Sequence, residues 1–235
     1  MRLPITLLLG QTVAILSFYP MFLYGQIWQW GISVFMYFCI MTLGMTMGYH
    51  RYLSHKCFSC PKWVEYVMVF FAHIMMAGPA IVWVANHREH HKFTDTTLDP
   101  HSPRYKGYFY SYFLTVITKI KFKYVTDLLR IPFYRAQVKY YWRFIFLWAL
   151  LLYMIDPFAI IYVWLVPAGM AKLLGSFIFS YSHRGATPHN DWVLGILTSG
   201  EGFHKSHHDN PKNAVWHKHD IAGMLIKMID KNVKA

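Results

Sequence analysis

Long apolar runs separated by short polar breaks dominate this sequence. Residues 5–24 and 27–47 are almost wholly apolar, and only Gly25 and Gln26 join them. At 1.5 Å per residue, each run is long enough to cross a hydrocarbon core of about 30 Å. The pattern therefore predicts two membrane-spanning helices that form a hairpin.

A second pair of apolar runs covers residues 140–155 and 157–181. Asp156 and Pro157 stand between them, which is typical of a helix N-cap followed by proline in the first turn. Lys and Arg flank the open ends of both hairpins, and in the second hairpin one also occurs late in the last helix. Both residue types are missing from the hairpin tips. Because cytoplasmic loops are enriched in basic residues, the tips are predicted to lie outside and both chain ends in the cytoplasm.

The run from Val64 to Ala85 is also long enough to span, but its polar content argues against this. Its flanks are basic on both sides, and it contains Glu65, His73 and the break at Gly78-Pro79. These features favour a helix that packs on the protein or lies in the membrane interface. Aromatic and basic residues alternate loosely in residues 105–139, which are predicted to be interfacial as well.

Composition supports a membrane protein. Hydrophobic residues make up 55% of the chain and charged residues only 14%, well below the roughly 25% of soluble domains. The net charge of +12 comes without any basic run, so it indicates topology and contact with membrane lipid rather than binding of nucleic acid. We predict one all-α domain, residues 1–235, with four transmembrane helices and a cytoplasmic helical cap built from residues 48–139 and 182–235.

Histidine is the residue with the most informative placement. Eight of the fourteen histidines occur in three compact groups, which are His50 with His55, then His87, His90 and His91, and then His204, His207 and His208. Steps of three and four residues return to one helix face, so the second and third groups can each converge. His50 and His55 diverge by about 140° on an ideal α-helix, and they are expected to straddle the helix end.

The predicted topology brings all three groups, and His183 after the fourth span, to the cytoplasmic side. Neutral imidazole suits iron, zinc, copper or nickel. Eight or nine nitrogen donors exceed the needs of one ion, so a binuclear metal site is predicted. The nearby carboxylates are expected to orient the histidines, and they are Glu89, Asp95, Asp99, Glu201 and Asp209. Ordinary packing or surface roles are expected for the remaining histidines, His73, His101, His189, His217 and His219.

The sequence around the histidines is similar to a known family. Gly48-Tyr49-His50-Arg51, Trp83 to His87, Asp99 to Pro103, and Gly200 to His204 resemble segments of the membrane-bound fatty acid desaturases of the delta-9 type. That family has an H-x4-H box followed by two H-x-x-H-H boxes. The order and spacing of the boxes match over nearly the whole chain.

The resemblance implies a mushroom-shaped, four-span protein with a di-iron centre in its cytoplasmic cap. The implied iron ligands are His50, His55, His87, His90, His91, His183, His204, His207 and His208. Trp83 would line the acyl tunnel, and O2 would be the co-substrate in forming a cis double bond in a saturated C16 or C18 acyl chain. No His-Pro-Gly-Gly haem signature occurs, so electrons are expected from a separate donor such as a ferredoxin or cytochrome b5.

Two departures from animal acyl-CoA desaturases leave the acyl carrier open. Phe179 stands where those enzymes have an asparagine that reaches one iron through water. Either Ser176 or Ser180 substitutes for it, or that iron is coordinated differently. Ala85-Asn86 replaces an Arg-Asp pair that contacts coenzyme A. Acyl-CoA, acyl-carrier protein and acyl lipid all remain candidate substrates.

Two other functions compete with desaturation. A related histidine-box hydroxylase would use the same metals but insert oxygen. A non-catalytic membrane metal-binding protein would need polar residues along its spans, and the first two spans contain no Asp, Glu, Lys or His before His50.

Overall fold

The computed structural model describes residues 3–115, 118–185 and 187–234, and every regular element in these ranges is helical. The α-helices are α1 (Leu3–Leu16), α2 (Phe18–Tyr24), α3 (Ile27–Phe38), α4 (Lys62–Ile74), α5 (Ala80–Phe93), α6 (Pro103–Lys106), α7 (Thr126–Leu129), α8 (Pro132–Lys139), α9 (Tyr141–Ile155), α10 (Val166–Ser182), α11 (Trp192–Leu197), α12 (His204–Asp209) and α13 (Ile221–Ile229). Segments with π-helical hydrogen bonding cover Cys39–His55, Tyr110–Leu114 and Ile160–Leu165, and a 3₁₀ turn covers Phe122–Tyr124.

The break between the first two apolar helices lies where the apolar pattern predicts it, at residues 25 and 26. Gln26 begins α3 with a capping box, in which its backbone N–H donates to the Gln29 side chain at 2.8 Å. Such a box satisfies amide groups that the first helical turn leaves free. The second arm then continues well beyond residue 47, because α3 passes into the π-helical segment that ends at His55.

Three helical stretches in the described ranges are long and apolar enough to cross a membrane, namely Leu3–Tyr24, Ile27–His55 and Ile160–Ser182. A fourth span results if α8 and α9 count together, although they meet at a bend of 69°. Alone, the 15 residues of α9 extend only about 22 Å, less than the hydrocarbon core. The length and apolar composition of these helices indicate a membrane protein.

The run from Val64 to Ala85 does not form one helix, as its polar content predicts. α4 ends at Ile74 and α5 begins at Ala80, and the connection passes through Gly78 at φ 98°. This left-handed conformation is easy only for glycine. The Gln11 side chain donates to the Met76 carbonyl in the same connection at 3.0 Å.

Polar contacts between distant parts of the chain place the last histidine box over the first. The Thr42 and Ser199 hydroxyls lie 2.6 Å apart, and the Tyr37 hydroxyl donates to the Leu197 carbonyl at 2.6 Å. Both contacts join the second span to the segment just before α12. Because buried polar groups need partners, these bonds fix the position of that segment against the helix Ile27–His55.

Candidate metal centre

Nine histidines form two groups. One, the five-histidine group, consists of His50, His55, His87, His91 and His207, and the other, the four-histidine group, consists of His90, His183, His204 and His208. Within each group, one nitrogen per histidine lies within 4.8 Å of those of all the others. These are the nine histidines named from the sequence, so the structure brings all of them together.

π-helical winding places His50 and His55 side by side. The expected divergence of about 140° is wrong, because it assumed α-helical winding up to the end of the span. In a π-helix the backbone hydrogen bonds join residues i and i+5, so side chains five apart lie nearly above one another. The two imidazole rings are 5.2 Å apart between centroids.

α-Helical spacing divides the other two boxes between the groups. On α5, His87 and His91 are one turn apart and belong to the five-histidine group, whereas His90 belongs to the other. On α12, His204 and His208 are one turn apart in the four-histidine group. Because residues i and i+4 share a helix face, each H-x-x-H-H box contributes to both groups.

The Nε2 atoms converge at distances suited to metal ligands. His50 and His91 both approach His207, with Nε2–Nε2 distances of 2.9 and 2.7 Å, and His183 approaches His204 at 2.9 Å. A metal–nitrogen bond of about 2.1 Å puts neighbouring ligands about 3 Å apart. The nitrogens of each group are therefore spaced as ligands of one metal ion would be.

Three carboxylates orient three of the histidines by accepting hydrogen bonds from their Nδ1 atoms. Glu201 accepts from Nδ1 of His50 at 2.7 Å, and Asp99 accepts from Nδ1 of His90 at 2.8 Å. Asp95 accepts from Nδ1 of His183 at 2.8 Å. With the proton on Nδ1, the Nε2 lone pair of each ring is free to bind a metal.

Glu89 and Asp209 do not take the orienting role expected of them. Buried Glu89 pairs with Lys121, and exposed Asp209 pairs with Lys205. Neither forms a hydrogen bond with a histidine among the described residues. Glu89 follows His87 by two positions, which on an α-helix is more than half a turn, so closeness in sequence does not bring the two side chains together.

Burial keeps the histidines uncharged. It lowers the pKa of His91 to about 3, and, with repulsion from the neighbouring imidazoles, it holds the pKa values of His87, His204 and His207 well below the ordinary range. Only neutral imidazole can bind a metal. His90 also has a buried Nε2 without any hydrogen-bond partner, so the residues fit a pair of metal ions.

His101 lies at the edge of the four-histidine group, although no spacing in the sequence marks it. Its ring stacks on His90 with centroids 4.9 Å apart, and Phe179 packs against it at 4.4 Å. One nitrogen of His101 lies within 4.8 Å of ligand atoms of His90 and Asp99. The available signals were its position two residues after Asp99 and its place in the segment from Asp99 to Pro103 that resembles the known family.

Arg51, Trp216 and Asp220 form a support for the five-histidine group that the sequence did not reveal. The buried Arg51 guanidinium lies 3.0 Å from the Asp220 carboxylate and 3.6 Å from the centre of the Trp216 ring. That ring in turn lies 5.1 Å from His50 and 4.5 Å from His207, between centroids. No spacing links these three residues.

An apolar cavity adjoins both groups. Its volume is about 160 Å³. Met41, Met45 and Met75 line it, together with Trp83. The Trp83 ring stacks on His87 at 4.8 Å, so the wall of the cavity continues directly into the histidine cluster.

Comparison with known proteins gives a consistent result. The family model described as fatty acid desaturase matches residues 9–233. The chain is 33% identical over 224 residues to an acyl-CoA 5-desaturase of Anemone leveillei, covering 85% of this chain and 68% of that protein. It is 32% identical over 225 residues to an sn-2 palmitoyl-lipid 9-desaturase of Nostoc, covering 85% and 77%. It is 30% identical over 247 residues to an sn-1 stearoyl-lipid 9-desaturase of Synechocystis, covering 92% and 73%.

Proposed function

Because the chain belongs to the fatty acid desaturase family and is therefore a desaturating oxidoreductase, we propose that it inserts a cis double bond at the delta-9 position of a saturated C16 or C18 acyl chain. Two irons, O2 and a separate electron donor complete the reaction. The observation that carries this proposal is the pair of histidine groups beside an apolar cavity.

We assign one iron to the five-histidine group and one to the four-histidine group. When bound, the irons supply the oxygen activation and oxidising strength that removal of hydrogen from an unactivated methylene requires. The carboxylates on His50, His90 and His183 support this assignment, because they fix the ring orientation and leave Nε2 free. His101 beside His90 is a further nitrogen next to the four-histidine group.

The remaining contribution of the protein is to orient the acyl chain and exclude water. The methionine-lined cavity accepts an alkyl chain, and the Trp83 ring against His87 borders its path toward the cluster. Holding two adjacent methylenes at the right place matters, because a misplacement of about 1 Å can cost two orders of magnitude in rate. Alkene is the expected product when both hydrogens lie within reach.

Two sets of relatives bear on the substrate. The Nostoc and Synechocystis relatives are named as 9-desaturases of palmitoyl and stearoyl lipids, whereas the Anemone relative is named as an acyl-CoA 5-desaturase. Phe179 and the Ala85-Asn86 pair separate this chain from animal acyl-CoA enzymes. Because both acyl-lipid relatives are named as 9-desaturases, we propose position 9 as the site of the double bond. The proposed electron donor is a ferredoxin or cytochrome b5.

We also propose four spans, with α8 and α9 together forming the third, and with both termini and the metal centre on the cytoplasmic side. Cysteines introduced at Gln26 or Asp156 in a cysteine-free variant should react with an impermeant thiol reagent from outside only. Cysteine at His55 or His91 should react from the cytoplasmic side only. Labelling of those two positions from opposite sides would refute a single centre.

The reaction is tested by feeding deuterated palmitate to a desaturase-deficient host that expresses this chain with an electron donor. Mass spectrometry of the lipids should show loss of two deuteriums without gain of oxygen, and His207→Ala should abolish this product. A dominant hydroxy acid would identify the chain as a hydroxylase. Metal binding without either product would favour a non-catalytic metal protein.

A further inference from the structure

The His101 ring has no hydrogen-bond partner in the described part of the protein. Only 8% of the residue is exposed, and its Nδ1 atom is fully buried. A neutral imidazole has one N–H donor and one nitrogen lone pair, so two hydrogen-bonding positions stay open. Buried polar atoms of this kind are commonly satisfied by bound water or by an ion.

The backbone of His101 is fixed by the same carboxylate that orients His90. Asp99 accepts from the His101 amide at 3.0 Å and from Nδ1 of His90 at 2.8 Å. The Ser111 hydroxyl donates to the His101 carbonyl at 2.7 Å. None of these bonds uses the His101 side chain. The residue is therefore held in place while its ring nitrogens stay available to a ligand.

The apolar cavity meets the four-histidine group at His101. Its lining includes His101, His204 and Phe179. Between centroids, the Phe179 ring lies 4.4 Å from His101, 5.0 Å from His90 and 5.1 Å from His183. Phe179 offers no nitrogen or oxygen atom to a metal or to water at this place. The adjacent His101 ring offers two nitrogens.

Distances indicate that His101 reaches the metal through another atom. One of its ring nitrogens lies within 4.8 Å of ligand atoms of His90 and Asp99, but His101 does not belong to the four-histidine group, whose ligand atoms all lie within 4.8 Å of one another. Two ligands of one ion, at bonds of about 2.1 Å, are at most about 4.2 Å apart. His101 is thus too far from at least one of the four histidines to share an ion with them directly, whereas a bridging water would close the gap.

We propose that His101 holds a water molecule on the metal assigned to the four-histidine group. The water oxygen binds the metal, and one water hydrogen is donated to the unprotonated ring nitrogen of His101. Such a partner strengthens metal binding and fixes one coordination position. This inference rests on the proposed function and deepens it, because it adds a positioning residue to the group that has one histidine fewer than the other.

The test is a calorimetric titration of metal-free, full-length protein in detergent micelles with Co²⁺. Imidazole binds this ion well, and its binding does not depend on any activity of the protein. Wild type should bind two ions. His101→Phe keeps an aromatic ring without a nitrogen, so it should weaken one site about 10–100-fold and leave the other unchanged.

Two double variants identify the site and the group that acts on it. His183→Ala removes a ligand of the four-histidine group, so His101→Phe added to it should cause no further loss. Phe179→Asn added to His101→Phe places an amide beside the same water and should recover most of the lost affinity. The controls are His219→Phe, at an exposed histidine, and Ser180→Ala, at a buried hydroxyl without a partner, and neither should change Co²⁺ binding.

Two further measurements separate water binding from a structural role. Metal-free His101→Phe should melt no lower than wild type, because it keeps the packing of the ring and removes a buried nitrogen without a partner. Electron-nuclear double resonance of Co²⁺-loaded protein in D₂O should show fewer exchangeable deuterons close to the metal in His101→Phe than in wild type.

Equal Co²⁺ affinity of His101→Phe and wild type, equal loss at both sites, equal deuteron signals, or no recovery with Phe179→Asn would overturn the role of His101. A lower melting temperature of metal-free His101→Phe would also overturn it, and so would weaker binding in Ser180→Ala. If His101→Phe weakens one site as expected but wild type forms no alkene from deuterated palmitate, the proposed function falls and the role of His101 stands.

Discussion

The buried pair of Arg51 and Asp220 allows a quantitative test of how the chain supports its five-histidine group. Neither side chain has any exposed area, and Arg51 also donates to the Ala214 carbonyl at 3.1 Å. Arg51→Met keeps much of the side-chain length but removes the charge. Among the described residues, Asp220 would then retain the backbone N–H groups of Trp216 and Gly223 as hydrogen-bond donors, at 2.9 and 3.0 Å.

The expected loss of stability follows from these contacts. Removing one partner of a buried ion pair commonly costs about 3–5 kcal/mol, and loss of the cation–π contact adds about 1 kcal/mol. The two backbone donors that still satisfy Asp220 reduce the penalty. We expect Arg51→Met to lower the free energy of unfolding by about 3 kcal/mol, with Trp216 released from His50 and His207.

That release should weaken metal binding in one group only. Mutation of residues that hold metal ligands typically lowers metal affinity about 10–100-fold. Arg51→Met should therefore weaken binding of the metal assigned to the five-histidine group. Binding by the four-histidine group should be unchanged, because Arg51 makes no contact with its members in the described structure.

The assay is a double-mutant cycle of Arg51→Met and Asp220→Asn on metal-free protein, measured by unfolding in mixed micelles, followed by metal titration. The double variant should lose less free energy of unfolding than the two single variants lose together. The difference should be at least about 1 kcal/mol, because the two residues are in contact. Lys205→Met, which breaks the exposed pair with Asp209, should cost at most about 1 kcal/mol. Additive single effects, or a loss below about 1 kcal/mol for Arg51→Met, would refute the reasoning.

Single side chains elsewhere in the fold give three further tests. His90→Ala should abolish activity and lower bound metal, measured by elemental mass spectrometry, while exposed His219→Ala should change neither; equal losses would contradict the assignment. Burial lowers the pKa of His73 to about 4, so the fold favours its neutral form and loses stability as pH falls from about 6.5 to 4. His73→Gln should remove about 3 kcal/mol of this loss in the free energy of unfolding. An unchanged dependence of that free energy on pH would contradict this. A Cβ at Gly44 would lie 2.4 Å from the Ala72 backbone nitrogen, so Gly44→Ala should lower the melting temperature, whereas Gly31→Ala, with open space around it, should not.

Periodicity explains how the sequence could indicate so much of the metal site. His87, His90 and His91 lie on an α-helix, where spacing of three and four residues determines which side chains share a face. The same rule holds for α12. Apolar run length likewise predicted the first two apolar helices and the boundary between them at Gln26. These are local properties, which a sequence displays directly.

Non-local contacts account for what the sequence did not indicate. Trp216 contacts His50 although more than 160 positions separate them in the sequence, and no local sequence feature of either residue indicates this contact. The 69° bend between α8 and α9 occurs at Tyr140, where no proline or glycine indicates it. The π-helical winding before His55 changed a predicted divergence into a contact, because apolar pattern alone does not distinguish 3.6 residues per turn from a wider helix.

The central claim is that the two histidine groups hold two irons, and Mössbauer spectroscopy with elemental analysis of the purified, iron-57-loaded protein tests it most directly. The account predicts two irons per chain in two distinguishable nitrogen environments. His207→Ala should selectively perturb the iron of the five-histidine group. Protein that carries one tightly bound zinc per chain, no iron, and full desaturase activity would contradict it.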